Sequence, residues 1–247
     1  MAPSATPTAR VPRAQAGPPL LVPVIAYGVL MVVSVILLVS GPQPSASAAS
    51  VLAWDKAHHS ALEVAGCLGF AASLPLAIWT ATVYRRLRTG LGVVAPGAVI
   101  GLVGGLLAAA ALAVCGLVNW TISQVHGVAD PALARALTDL SFAAGSAGFV
   151  APLGLLVAGI AVPSVILGLL PRPLAWAGLV IAALSLLSTF ALLTSALDFT
   201  FPIGRFVGLA WLIAASVLLP HTRHQARRGG PSASGSPAGT PREREIA

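Results

Sequence analysis

Asp55, His59 and Glu63 stand four residues apart in the stretch Trp54-Asp55-Lys56-Ala57-His58-His59-Ser60-Ala61-Leu62-Glu63. On one continuous helix they share a face, because residues four apart are neighbours there. A carboxylate, an imidazole and a second carboxylate form a set that binds a divalent metal, with His126 or Asp130 as a fourth ligand. The same residues also have a simpler use. Asp55 and His59 make a helix-surface pair, and Glu63 sits well in a first turn whose free N–H groups carry partial positive charge. No spacing here is diagnostic of a metal site, and the sequence is read as binding neither metal nor organic cofactor.

Cys67 and Cys115 lack any CxxC or Cys/His zinc spacing. Each falls about one turn inside the same end of neighbouring apolar runs, so a disulfide and two free thiols are both open. Free thiols are the expectation, since cysteine commonly serves as a small apolar residue. His58, His59, His126, His221 and His224 lie at the edges of apolar runs or in the tail, and the run centres carry no ionisable residue. No HExxH, Walker A or Gly-x-Ser-x-Gly pattern occurs. The chain is expected to lack enzymatic activity.

The elements that must position these residues are apolar. Of 247 residues 57% are hydrophobic and 9% charged, which excludes a soluble globular domain. The formal charge of +7 comes almost wholly from Arg placed beside apolar runs, a topology signal rather than a nucleic-acid surface. Six runs, at about 20–40, 61–84, 93–118, 142–170, 174–197 and 203–220, are of the length that crosses a hydrocarbon core. The fold class is therefore all-α, a polytopic bundle of six spans over residues 20–220. Residues 1–19, rich in proline, and residues 221–247, with Gly229-Gly230-Pro231-Ser232, read as disordered basic arms.

Helix punctuation separates the runs at Arg88-Thr89-Gly90, Asp130-Pro131, Pro171-Arg172-Pro173 and 198–202. Pro75 predicts a kink in the second run, and Pro152 and Pro163 a kinked or tilted fourth. Leu133, Leu137 and Leu140, beside Arg135 and Asp139, read equally as an interfacial helix or as an extension of the fourth run. The flanking cations divide nine to three: Arg10, Arg13, Arg85, Arg86, Arg88, Arg172, Arg223, Arg227 and Arg228 against Lys56, Arg135 and Arg205. Positive flanks stay in the cytoplasm, which assigns both termini there. A competing reading makes the first run a signal peptide cut after Ala46-Ser47-Ala48, although such apolar regions are shorter than this one.

The third run carries Gly97, Gly101 and Gly105 at four-residue spacing, continued by Ala109 and Ala113. Such a stripe admits another helix backbone at close range, within the chain or in a homodimer. Trp54, Trp79, Trp120, Trp176 and Tyr84 fall near the run ends as an aromatic belt does, while Trp211 falls inside the sixth run.

The segment from Gly168 through Pro171-Arg172-Pro173 and Trp176 to Gly178, followed by Phe201-Pro202-Ile203-Gly204-Arg205-Phe206, resembles a set of small uncharacterised bacterial multi-span proteins, as does the stretch from Pro44 to Val51. The resemblance implies a six-helix protein of the bacterial plasma membrane and brings no activity or site residue. The functional expectation is a non-enzymatic structural, sensory or partner-binding subunit, with the bilayer and a second copy or another membrane protein as partners. A permease for a small neutral or lipophilic solute is the alternative, with Asn119, Thr121, Ser123 and Gln124 at the outer end of its path. A lipid-modifying enzyme would have to draw its catalytic cluster from Asp55, His58, His59 and Glu63.

Overall fold

A computed structural model describes residues 19–42, 46–92, 96–124 and 130–220. Almost all of the basic arm and tail expected from the sequence, and His126, lie outside them. The described residues form helices α1 (Leu21–Leu37), α2 (Ala48–Ala57), α3 (His59–Arg85), α4 (Gly97–Gln124), α5 (Pro131–Gly145), α6 (Ala147–Leu167), α7 (Arg172–Leu187), α8 (Thr200–Pro202) and α9 (Gly208–Leu218), with no strand among them. π-turns occupy Arg86–Gly90 and Ile203–Val207, and 3-10 turns Ser188–Leu192 and Ser195–Leu197.

Five helical stretches are long and apolar enough to cross a membrane: His59–Thr89, Gly97–Gln124, Pro131–Leu167, Arg172–Leu192 and Ser195–Leu218. The expected first span is the shorter apolar helix α1, whose 17 residues rise about 26 Å. The outward faces are apolar too. Val22, Ile36, Leu74, Ile78, Leu107, Leu117, Ile166, Val180 and Val217 are all exposed, a surface compatible with hydrocarbon and costly in water.

The boundary expected at 142 is not where the chain breaks. Pro131 at the first helical position starts α5, with Asp130 as its cap, and the helix then runs on to Gly145, where Ser146 (φ −92°, ψ −99°) interrupts it before α6. The segment carrying Leu133, Leu137 and Leu140 is thus a helix of its own that takes in the first residues of the fourth run, and the interruption falls inside that run. Helix α3 continues through Pro75, and α6 contains both Pro152 and Pro163. At the far end of α6, Gly168 takes the left-handed conformation (φ 65°, ψ 35°) that lets the chain turn back into α7.

Helix α4 packs between α3 and α6 through glycine. A Cβ on Gly66 of α3 would stand 2.6 Å from the backbone nitrogen of Trp120, and one on Gly101 of α4 would stand 3.3 Å from the Cα of Gly159 in α6. The four-residue stripe does not meet one partner. Each step of four residues advances about 40° around a helix of 3.6 residues per turn, so Gly97 and Gly101 face α6 at Pro163 and Gly159 while Gly105 faces Thr80 of α3. Ala109 continues the buried strip and Ala113 is half-buried.

Two tryptophans tie distant helices. Trp79 is 1% exposed and donates its indole N–H to Ser216 Oγ of α9 at 2.9 Å, so it belongs to the core rather than to an aromatic belt. Trp211 is likewise buried and donates to the Leu174 carbonyl of α7 at 2.8 Å. Trp176 is exposed, as a belt residue is. Near the end that carries Arg86, the Arg86 guanidinium donates to the Leu219 carbonyl.

Gly101→Leu is expected to destabilise the bundle by about 1–3 kcal/mol through overpacking, read as the denaturation midpoint in detergent. Leu107→Ala, on the exposed side of the same helix, should shift it less. A Gly101→Leu protein as stable as the parent would show that the α4–α6 contact contributes nothing.

Candidate ligand-binding cavity

At the end of the bundle that carries α2 and α5, the helices part around a cavity of about 320 Å³. Three departures from regular helix meet at or beside its wall. The first is the junction at His58 (φ −120°, ψ 23°), which ends α2 and starts α3. Asp55 and the pair His59 and Glu63 therefore lie on different helices, and the shared face expected of them does not form. Asp55 is turned inward, 3% exposed, into the cavity wall, whereas His59 and Glu63 are exposed. The His58 ring stacks on Trp54 at 4.5 Å.

No group of three His, Cys, Asp or Glu placed to hold a metal occurs among the described residues. Asp130, one of the two expected fourth ligands, is occupied as the cap of α5, where its Oδ1 accepts from the N–H of Ala132 at 2.9 Å and of Leu133 at 3.4 Å. His126, the other, lies outside the described residues.

The second departure is the break at Ser146. A helix end leaves its last carbonyls without intrahelical partners. Here the Ser146 N–H donates to the Phe142 carbonyl at 2.8 Å, and the Gly145 carbonyl accepts a hydrogen bond from Nη2 of Arg205.

The third is the π-turn Ile203–Val207, which contains Arg205. A π-turn carries an extra residue per turn and re-aims the side chains within it. Arg205 is read from the sequence as a cation flanking the sixth run on its outer side. It instead lies inside the bundle, in the cavity wall, with its guanidinium 5.6 Å above the Phe149 ring. Among the described residues no carboxylate pairs with it; the ion pair found there is Arg135 with Asp139 at 2.9 Å, on the surface of α5. The titratable groups that feel its charge are the phenol of Tyr27 and the thiol of Cys115. The negative end of the α5 dipole and the ring face each favour a cation at this half-buried position.

The rest of the wall is a short polar ladder on an apolar lining. Asn119 Oδ1 accepts from Ser141 Oγ at 2.6 Å, and Cys115 Sγ lies 3.5 Å from the same hydroxyl. Asp55 Oδ2 and Thr138 Oγ1 are buried without a hydrogen-bond partner. Met31, Val35, Leu38, Leu62, Leu112, Ile122, Phe142 and Phe201 supply the apolar area. Of the residues proposed from sequence for a polar path, Asn119 alone reaches this cavity. Thr121 bonds its own helix at Leu117, and Ser123 bonds at Trp120. Cys67 is exposed on α3 and Cys115 faces the cavity; both are free thiols.

Burial raises the Asp55 carboxyl to about 6, because the charged form loses its water without gaining a partner. Below about pH 6 the neutral carboxylic acid is the prevailing form in this wall.

The chain matches no family model, no curated protein and no solved structure. The family expected from the resemblance at Gly168–Gly178 and Phe201–Phe206 is not found by these comparisons.

A carboxyl whose folded-state pKa is raised contributes stability that is fully present below its ordinary range and is lost as pH rises through about 6. The denaturation midpoint is therefore expected to fall between about pH 4 and pH 6.5 and to level off above, and Asp55→Asn should flatten that fall. An equal fall in both proteins would assign the pH dependence to other groups. Asn119→Leu, which strands the Ser141 hydroxyl, is expected to cost about 1–3 kcal/mol on the same scale.

Proposed function

We propose that the chain is an integral membrane protein of the bacterial plasma membrane with six spans, α1 being the short one, and with both termini cytoplasmic. It acts without catalysis, as a sensory or partner-binding subunit whose cavity opens on the outer side and holds a ligand. The observation that carries this reading is the contrast between cavity and floor. Polar side chains line the α2 end, while beneath them Tyr27, Leu76, Trp79, Phe149, Leu153 and Leu212 are each 1% exposed or less. A permease would need polar groups that continue toward the Arg86 end. A packed floor of this kind favours binding over passage.

The thiol of the wall, Cys115, lies against a serine and an asparagine, and among the described residues no imidazole stands beside it to accept a proton, which supports a reading without catalysis. The Arg placement along the sequence supports the outward assignment of the α2 end.

Access to Cys115 tests the reading. In a Cys67→Ala background, a membrane-impermeant methanethiosulfonate is expected to label Cys115 in spheroplasts and to leave it unlabelled in inverted vesicles. Labelling from both sides would establish a through path and favour the permease. Labelling from the cytoplasmic side alone would reverse the topology.

A further inference from the structure

We propose that the cavity takes a single-chain amphiphile bearing one anionic oxyacid group, with the acid at Arg205 and the chain along the apolar wall between α1 and Phe142; this rests on the cavity being a binding site. The first argument is charge. Arg205 is a cation in the cavity wall, and among the described residues it is paired with no carboxylate. A guanidinium presents five N–H donors in a planar fork that matches a carboxylate or phosphate edge. One hydrogen bond, to the Gly145 carbonyl, is made within the described bundle. Its neighbours Tyr27 and Cys115 are neutral at ordinary pH. An anion entering the cavity thus supplies the counter-charge that the wall withholds.

The second argument is the unspent polar surface. Asp55 Oδ2 and Thr138 Oγ1, both from wall residues, are buried with no hydrogen-bond partner. In a protein interior such atoms are ordinarily satisfied. The Thr138 hydroxyl is a donor, which suits a second acceptor atom on the acid.

The third argument is shape and lining. The wall beyond these groups is aliphatic and aromatic, with Met31 and Val35 on α1, Leu38 just past its end, and Leu112 and Phe142. A free inorganic anion would gain nothing from that surface, whereas an alkyl chain would be removed from water by it. At about 320 Å³ the cavity stands at the small end of ligand sites. One chain can enter it, and the two chains of a phospholipid cannot.

Protection of Cys115 tests this in the full-length Cys67→Ala protein held in phosphatidylcholine nanodiscs. Sodium decanoate and decyl phosphate, below their micellar concentrations, are expected to slow methanethiosulfonate labelling of Cys115 by about tenfold at saturation. Decanol and inorganic phosphate should not slow it. Arg205→Gln should abolish the protection while Cys115 still reacts. Equal protection by decanol, or protection that survives in a folded Arg205→Gln protein, would overturn the assignment of the acid to Arg205. Should Arg205→Gln fail to fold, the comparison of decanoate with decanol on the parent decides the same question. Protection by phosphatidylglycerol in the nanodisc, with no decanoate added, would overturn the single-chain assignment. A Cys115 that reacts and is protected by none of these probes refutes the ligand class alone; a Cys115 that no aqueous reagent reaches refutes the cavity reading on which it rests.

Discussion

Backbone against backbone is the contact on which this bundle depends. Where α4 crosses α3 at Gly66 and Gly116, and α6 at Gly101 and Gly159, a side chain has no room at Gly66, Gly116 or Gly159 and little at Gly101. Between helices solvated by hydrocarbon, association gains little from burying apolar area. The gain must come from dispersion at short range, and glycine is the residue that allows the range to be short. Helix α4 thereby becomes the post to which α3 and α6 are fixed. The others attach through larger side chains or to these three: α7 to α6 at Gly154, α9 to α3 through Trp79, and α1 to α3 through Ser34 and the Ala65 carbonyl.

That close packing also explains why the cavity stands where it does. Glycine contacts hold the middle of the bundle together, and below the cavity the space between helices is filled by Tyr27, Phe149 and Leu153. Toward α2 the chain is irregular instead. The His58 junction, the Ser146 break and the Ile203–Val207 π-turn each end or distort a helix beside the same space. Each brings a polar group that a regular helix would have turned elsewhere: Asp55 from the first, the Gly145 carbonyl from the second, Arg205 from the third. The carbonyl then meets the guanidinium, so two of the irregularities satisfy each other.

The apolar runs were legible because hydrocarbon solvation demands long uninterrupted apolar segments and forgives little within them. The glycine spacing in 97–105 likewise pointed to close approach, although the split between two partners follows from the 40° precession and needs both neighbours to be known. The cavity was not legible. Asp55, His59 and Glu63 look like one helical face only if the helix is continuous, and nothing in Ala57-His58-His59 marks an end by proline, glycine or a capping side chain. Arg205 offered a faint signal, since it lies inside the apolar run 203–220, flanked by Ile203 and Phe206. Counting it as a flanking cation gave that position no weight, and its inward aim depends on a π-turn that periodicity cannot foretell. Ser141 and Thr138 carry no motif that marks a cavity, because their role there comes from the packing of α4 beside them.

The link between Arg205 and Gly145 also bears on the order in which the molecule is made. During synthesis α3 and α4 emerge as neighbours along the chain, and α6 and α7 follow as another adjacent pair. Both can dock while the ribosome is still adding residues. The 200–218 segment follows them, and with it the hydroxyl that Trp79 bonds, the guanidinium that donates to the Gly145 carbonyl and the one cation that the described residues place in the cavity wall. Until that segment inserts, the Gly145 carbonyl lacks its guanidinium donor and the described wall lacks its cation. Completion of this end of the bundle is thereby tied to the docking of a segment distant in sequence from α5.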